Sequence, residues 1–186
     1  MGKLILVTGG ARSGKSSFAE GKAKGFGENI LYVATSVPFD EEMKLRIKKH
    51  REQRPSCWET LEAYKDMDIR LAGRLEGKDA VLLDCITIMI TNIMFESPMD
   101  WENFRSEDMA KMEEDVEGEI QKLITVLKAS PVSWVLVTNE VGMGIVPSNA
   151  ISRLFRDIAG RTNQMLAREA DEVYLCVSGI PVKIKG

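Results

Sequence analysis

The sequence predicts an α/β fold, a mostly parallel sheet flanked by helices, and three observations carry that prediction. Short apolar runs alternate with longer segments of helical periodicity. The first apolar run, KLILV, breaks on paired glycines and passes directly into a helical pattern. The chain is 186 residues long, 44% hydrophobic and 28% charged, which suits one domain over residues 1–186 with an ordinary core.

Taken in order, Leu4 to Thr8 reads as a buried strand and Lys15 to about Phe26 as a helix. Asn29 to Thr35 is a second strand. Asp40 to Gln53 is a helix with acid at its start and base at its end, as the helix dipole prefers. It must stop near Arg54, because Pro55 disfavours helix at the residue before it. Trp58 to Tyr64 is a short strand, followed by a helix over Asp68 to Leu75. Ala80 to Leu83 is a strand closed by Asp84. Residues 87–95 form a helix that is apolar all round and therefore buried. The longest helix runs from Glu102 to Lys128, with Met109, Met112, Val116, Ile120, Leu123, Ile124 and Leu127 on one stripe. Ser133 to Thr138 is a strand, a loop spans Gly142 to Pro147, and a helix covers Asn149 to Arg168. Val173–Val177 and Pro181–Lys185 flank Ser178-Gly179 as a closing hairpin.

Bulk properties remove several function classes. A formal charge of −3 offers no basic field for nucleic acid. Cys57, Cys85 and Cys176 are far apart and share one histidine, which argues against a disulfide framework or a zinc site and fits a reducing compartment. The N-terminal apolar run is too short for a signal core or a membrane span, and nothing else approaches spanning length. A cytoplasmic enzyme is expected.

Gly9-Gly10-Ala11-Arg12-Ser13-Gly14-Lys15-Ser16 fits GxxxxGK[ST], after a strand and before a helix, which is the context of a phosphate-binding P-loop. Glycines let successive backbone N–H groups turn inward, and the helix N-terminus adds its positive end. Lys15 supplies a point charge to the β- and γ-phosphates, and the Ser16 hydroxyl is a ligand for Mg²⁺. The partner acid should stand at a strand end, where Asp84 closes AVLLD. Helix capping is the other reading of Asp84. Asn139 and Glu140 follow the WVLVT strand at the same edge, with ligand contact or loop ordering both open.

His50 shares a helix face with Arg46 and Arg54, with Met43 and Ile47 on the same side and Arg51 adjacent. Guanidiniums suit phosphate oxygens, and nearby positive charge favours a neutral, nucleophilic imidazole. A solvated basic face with an incidental histidine fits the spacing as well.

TGGARSGKS, YVATS, HREQRP-x-x-W-x-T-x-E, LLDCIT, VTNEVGMGIVP and FRDIAGR-x-NQ occur in that order. Together they resemble the bifunctional adenosylcobinamide kinase / adenosylcobinamide-phosphate guanylyltransferase family of cobalamin biosynthesis, over nearly the whole chain. The resemblance implies a RecA-like P-loop NTPase domain assembled as a homotrimer. It implies phosphorylation of adenosylcobinamide by ATP or GTP, then GMP transfer from GTP to adenosylcobinamide phosphate with release of pyrophosphate. It implies that His50 carries the GMP as a phosphoramidate. Ala34, Thr35, Ser36, Arg51, Glu52, Gln53 and Arg54 would line the GTP site, with Glu62 and Asp84 contacting nucleotide. A corrin ring also needs an apolar platform, for which Met94, Phe95, Trp101 and Phe104 are candidates, ordinary core being the alternative. Two rival readings use the P-loop without His50: a plain small-molecule kinase, and a nucleotide-dependent regulatory switch.

Overall fold

The computed structural model describes residues 2–37, 55–101 and 103–186. Among these, seven strands form one sheet: β1 (Leu4–Gly9), β2 (Ile30–Ala34), β3 (Glu59–Glu62), β4 (Ala80–Asp84), β5 (Ser133–Val137), β6 (Glu172–Val177) and β7 (Ile180–Lys185). Their order is β3-β2-β4-β5-β1-β6-β7. Strands β1 to β6 are parallel to their neighbours, and β7 returns antiparallel to β6. The helices are α1 (Lys15–Lys24), α2 (Met67–Arg70), α3 (Ile86–Glu96), α4 (Ser106–Ala129) and α5 (Ala150–Glu169). The α/β architecture and the closing hairpin are those the sequence predicts.

The unbroken apolar runs follow from burial on both sheet faces, with alternate side chains entering opposite cores. Leu4, Leu6, Leu31, Val33, Val81 and Leu83 pack with α3, α4 and α5 on one face. Ile5, Val7, Ile30, Tyr32, Ala80 and Leu82 pack with Ala19 and Ala23 of α1 on the other. The α4 stripe is as spaced: Met112, Val116, Ile120, Leu123, Ile124 and Leu127 are buried, and Met109 packs beside them.

Three elements differ from the sequence reading, each for a local reason. Helix α4 starts at Ser106 rather than Glu102, because the Asp108 carboxylate accepts from Arg105 N at 2.8 Å and sets the start there. Helix α2 is a single turn, since Gly73 soon takes a left-handed conformation (φ 72). Helix α3 buries Ile86, Met89, Ile90 and Met94, but Phe95 is 59% exposed, so the helix is not buried all round. Met94 is core. Phe95, Trp101 and Phe104 instead form an aromatic cluster, with ring centroids 5.6 and 6.2 Å apart along the chain of contacts.

Glu172 secures the β1–β6–β7 side. Its carboxylate accepts from Lys183 at 2.8 Å, Lys3 at 2.7 Å and Tyr174 Oη at 2.8 Å. These bonds, that of Lys183 foremost, hold its pKa down at about 2 against an ordinary 4.5. The stabilisation is full above pH 4.5 and is lost as pH falls toward about 2. Glu172→Gln is therefore expected to cost about 1–3 kcal/mol at neutral pH. Solvent screening of Lys3 and Lys183, 45% and 39% exposed, favours the low end of that range. The variant should also lose less stability than the parent between pH 4.5 and 2, read by denaturant unfolding across that window.

Candidate nucleotide site

Residues 9–16 join β1 to α1 at the edge where the parallel strands end. A Cβ on Gly9 would lie 2.5 Å from both Cys176 O and Ser13 Oγ, so only glycine fits. Arg12 (φ 55) and Gly14 (φ 85) turn the chain through left-handed conformations, and α1 starts at Lys15. Such a turn before a helix start gathers main-chain donors and the positive dipole end on one spot. Lys15 is 9% exposed, and its ammonium donates to Gly10 O at 2.9 Å, which places the charge over the loop. Ser13 Oγ and Thr8 Oγ1 are buried there without a partner among the described residues.

One wall of this cradle comes from the far end of the chain. Ser178 (φ 51) and Gly179 (φ 84) form the two-residue turn between β6 and β7, with the positive φ values of a type I′ hairpin. Gly179 N donates to Ser13 O at 3.0 Å. The Gly179 Cα lies 3.0 Å from where a Cβ of residue 14 would stand. The approach leaves little room for a side chain at residue 14, while at 179 it is the left-handed φ of 84 that favours glycine.

Strand register aligns the other site residues. Glu62 pairs with Ala34, Ala34 with Asp84, Asp84 with Val137 and Val137 with Val7, one row across five strands. At about 4.8 Å per strand the row spans roughly 19 Å. Glu62 and the phosphate loop therefore occupy opposite ends of one edge, with Asp84 between them. Asp84 accepts from Tyr32 Oη at 3.1 Å. It does not cap α3, whose N-cap position is Cys85. Burial first, and then Asp84, raise the Cys85 thiol to about 11, so at neutral pH it is protonated and no nucleophile.

At the β2–β3 end a depression of about 360 Å³ is lined by Ala34, Thr35, Ser36 and Glu62, together with Tyr64, Lys65, Asp66 and Arg70. Four of the sequence-selected residues thus share one hollow. Thr35 is 1% exposed and its hydroxyl is already engaged: it donates to Cys85 O and accepts from Cys85 N, both at 2.8 Å. Its role is to hold the hollow's floor. Sequence reading missed the stretch from Tyr64 to Arg70. The charged run YKDMDIR directly after a strand end was its signal. Asp66 is fixed from α4: Lys122 donates to its carboxylate at 2.9 Å, and its own N–H donates to Glu119 at 2.7 Å. The Lys122 bond also lowers the Asp66 pKa.

Asn139 and Glu140 order the edge between these ends. Asn139 donates to Thr87 Oγ1 and accepts at its carbonyl from Asn163 at 3.1 Å, tying β5 to α3 and α5. Glu140 N donates to Gly9 O at 3.2 Å. The predicted helix over residues 40–53, with His50, Arg51, Glu52 and Gln53, and Arg54 after it, lies outside the described residues.

Comparison with known proteins covers the same ground. Residues 5–184 match the family described as cobinamide kinase / cobinamide phosphate guanyltransferase. The bifunctional adenosylcobalamin biosynthesis protein CobU of Salmonella typhimurium is 51% identical across 98% of this chain and 99% of its own length. CobU of Escherichia coli is 48% identical with the same coverage. The bifunctional adenosylcobalamin biosynthesis protein CobP of Pseudomonas aeruginosa is 35% identical over 97% of this chain and 96% of its own.

Proposed function

Because the chain belongs to the cobinamide kinase / cobinamide phosphate guanyltransferase family, we propose that it phosphorylates adenosylcobinamide and then transfers GMP from GTP to the product. Adenosylcobinamide-GDP and pyrophosphate result. The observation that carries this reading is one strand edge bearing two separate features, the glycine-rich cradle under Lys15 and the hollow walled by Glu62, with Asp84 in the row between.

In the kinase step, Gly9 to Ser16 grip the triphosphate of ATP or GTP. Lys15 leaves the Gly10 carbonyl for the β- and γ-phosphate oxygens and offsets their charge. The Ser16 hydroxyl and the Asp84 carboxylate are hard oxygen donors, the kind Mg²⁺ takes alongside phosphate and water. When bound, Mg²⁺ neutralises charge on the transferring phosphate. In the second step a neutral His50 nitrogen attacks the α-phosphorus of GTP, forming a P–N bond as the bond to pyrophosphate breaks. A phosphate oxygen of cobinamide phosphate then attacks the same phosphorus, the P–N bond breaks and the imidazole is restored. Splitting one displacement into two follows the logic of covalent catalysis. Ala34, Thr35, Ser36, Glu62 and Asp84, with Arg51, Glu52, Gln53 and Arg54, surround the nucleotide in this reading. A cytoplasmic homotrimer is part of it.

The experiment is label tracing. With GTP labelled at the α-phosphate, denatured protein should retain acid-labile, base-stable label, and with γ-label it should retain none. Protein that stays unlabelled from either position leaves a kinase alone.

A further inference from the structure

The chain that leaves β5 runs beside the phosphate loop, its start fixed by the bond from Glu140 N to Gly9 O. From Val141 to Ser152 it carries no charged residue. Met143, Ile145 and Val146 are 78%, 96% and 62% exposed. Isolated apolar groups on a surface are ordinary, but three within four residues, just past a residue bonded to the phosphate loop, make a patch. The backbone beneath them is held firmly. Gly142 N donates to Glu140 Oε1 at 2.8 Å, and Arg156 donates to Ile145 O at 3.3 Å. Arg153 donates to Pro147 O at 2.9 Å and to Ser148 O at 2.6 Å, while Asn149 caps α5 by accepting from Ser152 N at 3.1 Å. Two arginines of α5 and a helix cap thus keep an apolar strip in water.

Building on the kinase and transferase reading above, we propose that Met143, Ile145 and Val146 are the seat for the corrin face of the acceptor substrate. Position supports it. The cradle has two flanks in the plane of the sheet: Gly179 closes the β6 side, and on the β5 side the chain is bonded to the loop at Glu140, three residues before the strip begins. An acceptor hydroxyl that reaches the terminal phosphate from the β5 side brings the rest of a large acceptor over residues 142–147. Chemistry supports it as well. A corrin presents methyl-studded faces and neutral amide side chains, which suit uncharged, branched and thioether groups, whereas a nucleotide phosphate does not. At Gly144 a Cβ would meet nothing within 4 Å, so a broad ring can come close to the backbone there.

The test uses Ile145→Ser, Met143→Ser and the double variant, compared with the parent chain. For each, the KM for cobinamide in the kinase step is measured, along with direct cobinamide binding by its visible absorbance after equilibrium dialysis. Nucleotide KM and self-labelling by α-labelled GTP serve as controls that do not need the corrin. Cobinamide KM and Kd should rise about tenfold or more in the double variant, with both controls unchanged. Unchanged cobinamide binding in a folded double variant overturns the seat. So does a drop in assembly size by light scattering with cobinamide KM intact, which would make the strip a contact between copies of the chain. A parent protein inert toward cobinamide sinks the underlying reading, and the seat with it. A parent that turns over while every variant matches it sinks the seat alone.

Discussion

His50→Ala is expected to abolish retention of α-label from GTP and to cut guanylyl transfer by at least about 10³-fold. Phosphorylation of cobinamide should stay within a few-fold of the parent rate. The asymmetry follows from the chemistry of the two steps. In the first, the acceptor hydroxyl attacks the γ-phosphorus directly, and the protein's part is to position and to offset charge. In the second, the attacking nitrogen is that of the one histidine in the chain, and the Cys85 thiol beside Asp84 is held protonated by burial. Separate assays of the two half-reactions on the same preparation decide the matter. Equal loss of both would make His50 a folding or assembly residue rather than the GMP carrier.

Lys15→Ala should lower kcat/KM of the kinase step by about 10²–10⁴-fold and weaken GTP-dependent self-labelling too. Both reactions begin from a triphosphate whose charge the cradle must bear. The ammonium lies along the loop and donates to Gly10 O at 2.9 Å. Removing it leaves one carbonyl short of a donor, a folding cost of about 1 kcal/mol. Thermal unfolding should therefore move little while catalysis collapses. Lys15→Arg offers a further check. Its longer, planar head exceeds the space of a side chain only 9% exposed, so charge alone should restore little activity. Full activity in the alanine variant would remove the phosphate loop from the mechanism.

Legibility in the sequence followed the range of the interactions involved. The strands β1, β2, β4 and β5 were readable because burial on both faces forces unbroken apolar runs, as in LILV and WVLV. The phosphate loop is readable because its residue types recur at fixed spacing between a strand and a helix, although Gly9 and Gly14 also answer to Cys176 and Gly179 far along the chain. The strand-end position of Asp84 is legible from AVLLD in the same way. What escaped depends on tertiary neighbours. The turn at Ser178-Gly179 was seen as a hairpin, but nothing local says that it touches Ser13. The corner at Asp66 is set by Glu119 and Lys122 on a helix distant in sequence. That Met94 enters the core while its neighbour Phe95 is exposed is likewise set by how α3 packs.

The contact of Gly179 with Ser13 separates two kinds of information about the phosphate loop. Its eight residues specify which groups meet a nucleotide, while a dipeptide near the opposite terminus fixes the space in which they do so. A residue at 179 that cannot hold the left-handed φ of 84, or one residue more or fewer in that turn, would reshape nucleotide binding with every residue of the glycine-rich stretch unchanged. Two relatives with identical loops can for that reason differ in triphosphate affinity, and the cause would lie in the last hairpin.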